Sequence, residues 1–281
     1  MLGALIIVFR EVIEAGLIVG IVMAVTSGVH GSRVVIAAGV AAGVVGAALV
    51  AAFAGAIAEA LAGVGQEIFN ASILILAVIM LIWHNVWMAS HGRELAGEVK
   101  RVGDAVRTGS RPIVALGVVC AVAVLREGSE VALFLYGLAA TAGSTSAELL
   151  IGAVFGLLAG AALAAVTYLG LVTIPQRRLF AVTTALISLL AAGLAAQAAR
   201  FLQQAGVVTV LSQTAWDTSA FLSDRSLIGR ALNTLIGYSD EPSVLQVVVY
   251  AATLAIIVVL TKTVSKSHAP ATKASGAAPA N

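Results

Sequence analysis

Seven long apolar runs constrain this chain more than any other feature of it. They cover roughly residues 2–27, 33–58, 66–88, 112–141, 146–172, 179–204 and 244–261, and a helix needs about 20 such residues to cross the hydrocarbon layer of a bilayer. They are far too long for the alternating ten-residue segments of a membrane barrel. Composition agrees: 60% of the 281 residues are apolar and 11% charged, against about 25% charged in a soluble domain. Too little polar surface remains to face water. A soluble enzyme, a disordered chain and a nucleic-acid binder are thereby excluded. The expected fold is an all-α integral membrane protein with seven transmembrane helices in the lipid bilayer. One cysteine, Cys120, leaves no intramolecular disulfide and no multi-cysteine metal site.

Basic residues predict the orientation. Loops on one side carry Arg33, then Arg93, Lys100, Arg101, Arg107 and Arg111, then Arg177 and Arg178, then Lys262, Lys266 and Lys273, eleven in all, against Arg225 and Arg230 opposite. The positive-inside rule puts the N-terminus outside and the C-terminus in the cytoplasm of a multi-pass protein of the cell (inner) membrane. The first run does not read as a cleaved leader, because Arg10, Glu11 and Glu14 interrupt it. Between runs, residues 89–111 place Leu95, Val99, Val102 and Val106 at helical spacing among basic residues, which predicts an amphipathic helix on the inner surface. The outer connection 205–243 predicts a short interfacial helix from Leu227, Ile228, Ala231, Leu232, Leu235 and Ile236. Residues 1–262 read as one seven-span transmembrane domain, and 263–281 as a disordered cytoplasmic tail.

Charge inside the runs is the functional signal. Arg10-Glu11-Val12-Ile13-Glu14 lies in the first and Arg126-Glu127-Gly128-Ser129-Glu130 in the fourth, 116 residues later. Gly39 and Gly43 in the second run echo Gly156 and Gly160 in the fifth at an offset of 117, with Gly152 extending the row; small residues at this spacing let helices approach closely in lipid. Three runs per unit makes the second unit inverted. The architecture expected is therefore two inverted three-helix repeats, spans 1–3 and 4–6, plus a seventh helix, with a midplane site between them as in many transporters. Within each motif the spacings of three and four put all three charges on one helix face. A charge at the centre of a membrane helix costs about 2.5–3.5 kcal/mol even on the lenient scale, so six of them in place of apolar residues need a reason. Two ion pairs are one reading, but four carboxylates against two guanidinium groups leave a formal −2 that calls for a cation. Carboxylate oxygens favour hard ions. Ferric iron, manganese, calcium and lead all remain open on this chemistry.

The two Arg-Glu-x-x-Glu motifs, in the first and fourth of seven runs, resemble the oxidase-dependent ferric iron permease family, which includes fungal high-affinity iron permeases working with a multicopper ferroxidase and the bacterial EfeU-type permeases. The usual motif there is Arg-Glu-Gly-Leu-Glu; this chain keeps the charged positions and changes the middle pair. The likeness extends to about residue 262 and includes Trp216-Asp217-Thr218-Ser219 and Leu227-Ile228-Gly229-Arg230. It implies a permease importing Fe(III) as substrate, with no permanently bound cofactor and no enzymatic activity. Glu11, Glu14, Glu127 and Glu130 would bind and pass the metal, and Arg10 and Arg126 would keep them ionised and ordered. It further implies a ferroxidase or a periplasmic or extracellular iron-delivery protein as partner, and makes Asp217, Asp224, Asp240 and Glu241 candidates for ion capture in the outer loop. A permease of the same architecture for lead or manganese, or a non-transporting membrane scaffold, are the alternatives. The oligomeric state is not legible.

Other polar residues read as structural. His84 and Asn85, between Trp83 and Trp87, are expected in an interfacial aromatic belt at the inner end of the third run. Gln197, Arg200, Gln203 and Gln204 read as a stripe snorkelling to the interface, Glu59 and Glu67 as solvated, and Tyr136 as a packing contact. His30, His91 and His268 fall in loops or the tail, so paired haem ligation has no support. With no Gly-x-x-x-x-Gly-Lys loop, any energy comes from ion gradients, substrate oxidation or a partner.

Overall fold

The structure, a computed structural model, describes residues 1–60, 66–139, 145–170, 176–224 and 226–267. Among these residues the chain folds as eight helices: α1 (Leu2–Val25), α2 (Ser32–Ala60), α3 (Gln66–Arg107), α4 (Val114–Ala139), α5 (Ser146–Tyr168), α6 (Gln176–Gln204), α7 (Leu227–Ile236) and α8 (Val244–Ser267). Helices are what lipid demands, since every backbone group must find its partner within the segment. Five helices are long and apolar enough to cross a membrane: α2, the first part of α3, α5, α6 and α8. The other two runs, α1 with 24 residues and α4 with 26, have the length but each carries three charges.

Two expectations need correction. The 89–111 segment is not a separate surface helix: α3 continues without a break to Arg107, 42 residues in all, or roughly 60 Å at 1.5 Å per residue. Its apolar stripe is covered by protein, with Val99 and Val106 buried against Ile18, Val22, Ile36, Leu116 and Cys120. The glycine rows are also one helical turn out of the expected register. A Cβ at Gly39 or Gly43 would overlap the backbone carbonyls of Gly117 or Ala121 in α4, and one at Gly152 or Gly156 those of Met1 or Leu5 in α1. Gly117 and Ala121 follow Met1 and Leu5 by the motif offset of 116. Gly39 and Gly152 thus meet backbone positions 116 residues apart, and so do Gly43 and Gly156.

The expected short helix in the 205–243 connection is present as α7, capped by the Ser226 side chain accepting from Gly229 N. It folds inward: Gly237, just past α7, packs against Gly193 in the middle of α6. The last helix runs to Ser267, beyond the expected end at 261; the rest of the expected tail, 268–281, lies outside the described residues. Outward faces of α2, α5 and α8 carry exposed apolar side chains such as Leu49, Phe53, Leu150, Phe155 and Val259, the surface lipid requires.

The core has two apolar clusters. One holds Ala4 and Ile7 of α1, Leu74, Val78 and Leu81 of α3, and Phe134 and Leu138 of α4. The other holds Ile18 and Val22 of α1, Val99 and Val106 of α3, and Leu116, Cys120 and Ala123 of α4. Arg10–Glu14 of α1, His84 of α3 and Arg126–Glu130 of α4 fall between the two. The charges thus form a layer sealed above and below by hydrocarbon.

Candidate metal centre

In α1 the guanidinium of Arg10 divides its fork between two carboxylates. Nη1 donates to Glu11 Oε1 at 2.9 Å, and Nη2 lies 2.9 Å from Glu14 Oε1 one turn on. All three side chains are at most 3% exposed. In α4 the same spacing is used differently. Arg126 Nε donates to Glu130 Oε1 at 3.2 Å and lies 3.8 Å from Glu127 Oε1, while the guanidinium carbon lies over the Trp87 ring, 4.1 Å from its centroid. Trp87 in turn stacks on His91, centroids 5.3 Å apart.

His84 of α3 joins the two motifs. Its Nε2 lies 3.4 Å from Glu14 Oε2 and 3.8 Å from Glu11 Oε2, and its Nδ1 contacts Glu130 Oε2. Glu11, His84, Glu127 and Glu130 each offer one ligand atom within 4.8 Å of the others. Metal–oxygen and metal–nitrogen bonds of about 2.0–2.2 Å place opposite ligands about 4.2 Å apart, so a small contraction would close this set on one ion. The buried Oε2 atoms of Glu11 and Glu127 have no hydrogen-bond partner among the described residues. Buried acceptors left in that state are costly, and a cation among them is the direct remedy.

Of the four glutamates named from sequence, the structure brings Glu11, Glu127 and Glu130 into this group. Glu14 stands at its margin, between Arg10 and His84. His84 is the residue the sequence reading missed. It is 2% exposed and level with the middle of α1, so the interfacial belt is corrected for His84 and Trp87. Trp83, 72% exposed, faces outward. Apolarity fades after residue 88, which made His84 look terminal, whereas the helix continues another 19 residues. An ionisable side chain within an apolar run was the available signal. Asn85 is 1% exposed and its amide has no partner among the described residues, so it is not the satisfied half of a polar pair.

The outer-loop acids lie away from this group, two of them hydrogen-bonded within the loop. Asp217 Oδ1 accepts from Ser219 N and Oγ at 2.9 and 2.6 Å, which holds its carboxyl below the usual range. Asp240 Oδ2 accepts from the backbone N–H of Asp224 at 3.1 Å. Glu241 is exposed. Tyr136 donates its hydroxyl to Ala51 O of α2 at 3.0 Å, a packing tie. Gln203 is not snorkelling: its Oε1 accepts from Ser243 Oγ at 2.8 Å and ties α6 to the start of α8. Glu67 is exposed as expected; Glu59 and His268 fall outside what is described of side chains.

A profile described as "Iron permease FTR1 family" matches residues 1–266. The chain belongs to that family. It is 33% identical over 186 residues to the ferrous iron permease EfeU of Shigella flexneri, spanning 66% of this chain and 78% of that one. To the ferrous iron permease EfeU of Escherichia coli O157:H7 it is likewise 33% identical over 186 residues, spanning 66% and 67%. No solved structure matches. As an FTR1-family iron permease, the protein is a multi-pass membrane transporter rather than an enzyme, and iron is its substrate.

Proposed function

We propose that this permease imports iron through the buried charged layer, with Glu11, Glu14, Glu127 and Glu130 handling the ion and Arg10 and Arg126 holding them in place. The observation that carries the reading is convergence: carboxylates 116 residues apart in sequence meet with His84 within 4.8 Å, between two apolar clusters. A formal excess of carboxylates over guanidinium groups in such a place favours a multiply charged cation. Oxygen-rich ligation favours the ferric ion. The contact registers of α1 with α5 and of α4 with α2 support two inverted three-helix units, in a seven-span domain over 1–262 with its N-terminus outside and a cytoplasmic tail over 263–281. In that frame a ferroxidase or iron-delivery protein presents the ion on the outer side, and Asp217, Asp224, Asp240 and Glu241 raise its local concentration.

A second reading, passage as ferrous iron, is favoured by His84, since imidazole suits borderline iron better than an all-oxygen site does, and by the name of the relatives. One experiment tests both: metal-resolved uptake in cells, with iron supplied either as ferric citrate or as ferrous iron held reduced, and manganese and lead in parallel. The intact protein accumulates iron above the other metals. Single Glu11→Gln, Glu127→Gln and Glu130→Gln variants, present in the membrane at normal amounts, lose at least about tenfold in uptake. Unimpaired uptake by all three would return the motifs to structural ion pairs.

A further inference from the structure

The two motifs are alike in sequence but supported differently. Arg10 is 2% exposed and both its Nη groups face carboxylates at 2.9 Å. Arg126 is 33% exposed, and its carboxylate contacts run through Nε alone at 3.2 and 3.8 Å. A long side chain with that much open space on one side has many rotamers to lose, and two contacts through one nitrogen do not fix its plane. What lies against it comes from α3: the Trp87 ring under the guanidinium carbon, 4.1 Å away, itself backed by the stacked His91 ring.

We infer that Trp87 is the positioning residue of the second motif: its ring holds the Arg126 plane so that Nε points at Glu130 and Glu127, keeping both carboxylates turned toward the ion. The inference rests on the permease reading above and adds to it a residue outside the charged motifs. The physical basis is cation–π attraction and flat stacking, which arginine supplies and lysine does not match. Trp87 lies three residues beyond His84, one turn along the same helix. One face of α3 therefore supplies both the imidazole between the motifs and the platform beneath the second arginine. The first motif needs no such platform because protein encloses Arg10 on every side.

The test is a double-mutant cycle in iron uptake, normalised to the amount of protein in the membrane. Trp87→Leu keeps an apolar side chain and removes the ring, and the apparent KM for iron rises roughly 2- to 30-fold, the range of a cation–π contact converted at one tenfold step per 1.36 kcal/mol. Trp87→Phe keeps an aromatic face and stays within about twofold of the intact protein. Arg126→Gln also raises KM, and adding Trp87→Leu to it raises KM no further, because the partner cation is already gone. An unchanged KM in Trp87→Leu overturns the inference, as do multiplying effects in the double variant or a Trp87→Phe defect as large as that of leucine. Where Trp87→Leu inserts poorly, Trp87→Met, apolar and without a ring, takes its place in both arms with the same expected rise. An intact chain that neither binds nor moves iron overturns the permease reading and this inference with it; normal uptake with an indifferent Trp87 overturns the inference alone.

Discussion

Replacing His84 with leucine separates a member of the site from an interfacial side chain. The imidazole is 2% exposed, with Nε2 at 3.4 Å from Glu14 and 3.8 Å from Glu11 and Nδ1 on Glu130. Leucine fills similar space and offers no polar atom, so three buried carboxylates lose a partner at once. Taking one partner out of a buried charged group costs about 3–5 kcal/mol, whereas a substitution at an exposed site stays within about 0.5 kcal/mol. Unfolding in detergent micelles, followed with and without iron, distinguishes these figures. Without iron His84→Leu falls in the larger range. Iron then widens the gap, since a ligand held only by the folded state at 100 times its Kd adds about 2.7 kcal/mol to the intact protein and less to a variant that holds it more weakly. Uptake drops at least about tenfold, as expected when a group of the ligand set is removed, and His84→Gln, which keeps a polar end, falls between. A stability change under about 0.5 kcal/mol with normal uptake would refute the placement of His84 in the site. A large loss that iron does not touch, with normal uptake, would leave it a structural bridge only.

Four further outcomes follow from the fold and its outer loop. Gly39→Leu and Gly156→Leu push a side chain into the backbone of α4 or α1, which cannot move aside as a side chain would; each destabilises by at least about 1–3 kcal/mol in the same unfolding assay. Gly97→Ala, where a Cβ meets nothing within 4 Å, is neutral or gains up to about 1 kcal/mol. Reporter fusions at Glu98 and at Asp224 report opposite sides of the membrane, and finding them on one side would break the seven-span arrangement. Changing Asp217, Asp224, Asp240 and Glu241 together to their amides, which keeps the oxygen acceptors used in the loop, raises the KM for iron and spares the maximal rate. That difference shrinks at high salt because the attraction is screened; an unchanged KM would remove these residues from ion capture.

The helices and the two charged motifs were legible in the sequence because both follow from transfer free energy, a property that each residue carries with it wherever it lies. An apolar run of sufficient length has one stable form in lipid, and three charges within such a run stand out against it. Thr145 and Ser226, accepting from the backbone of Glu148 and Gly229, show the same local logic at helix starts. Depth and convergence are not local. Hydropathy marks where polar residues resume, so it set His84 at the end of a span; only the packing of α3 alongside α1 placed it midway, between Glu14 and Glu130. The one-turn shift in the glycine rows escaped for a related reason: each glycine is matched to a carbonyl on another helix, and the spacing within a row is the same in either register. Sequence also presented the two motifs as equals. The difference between a sealed Arg10 and an Arg126 supported by Trp87 exists only once α3 passes beside α4, because the environment of a charge is made by side chains that neighbour it in space rather than along the chain.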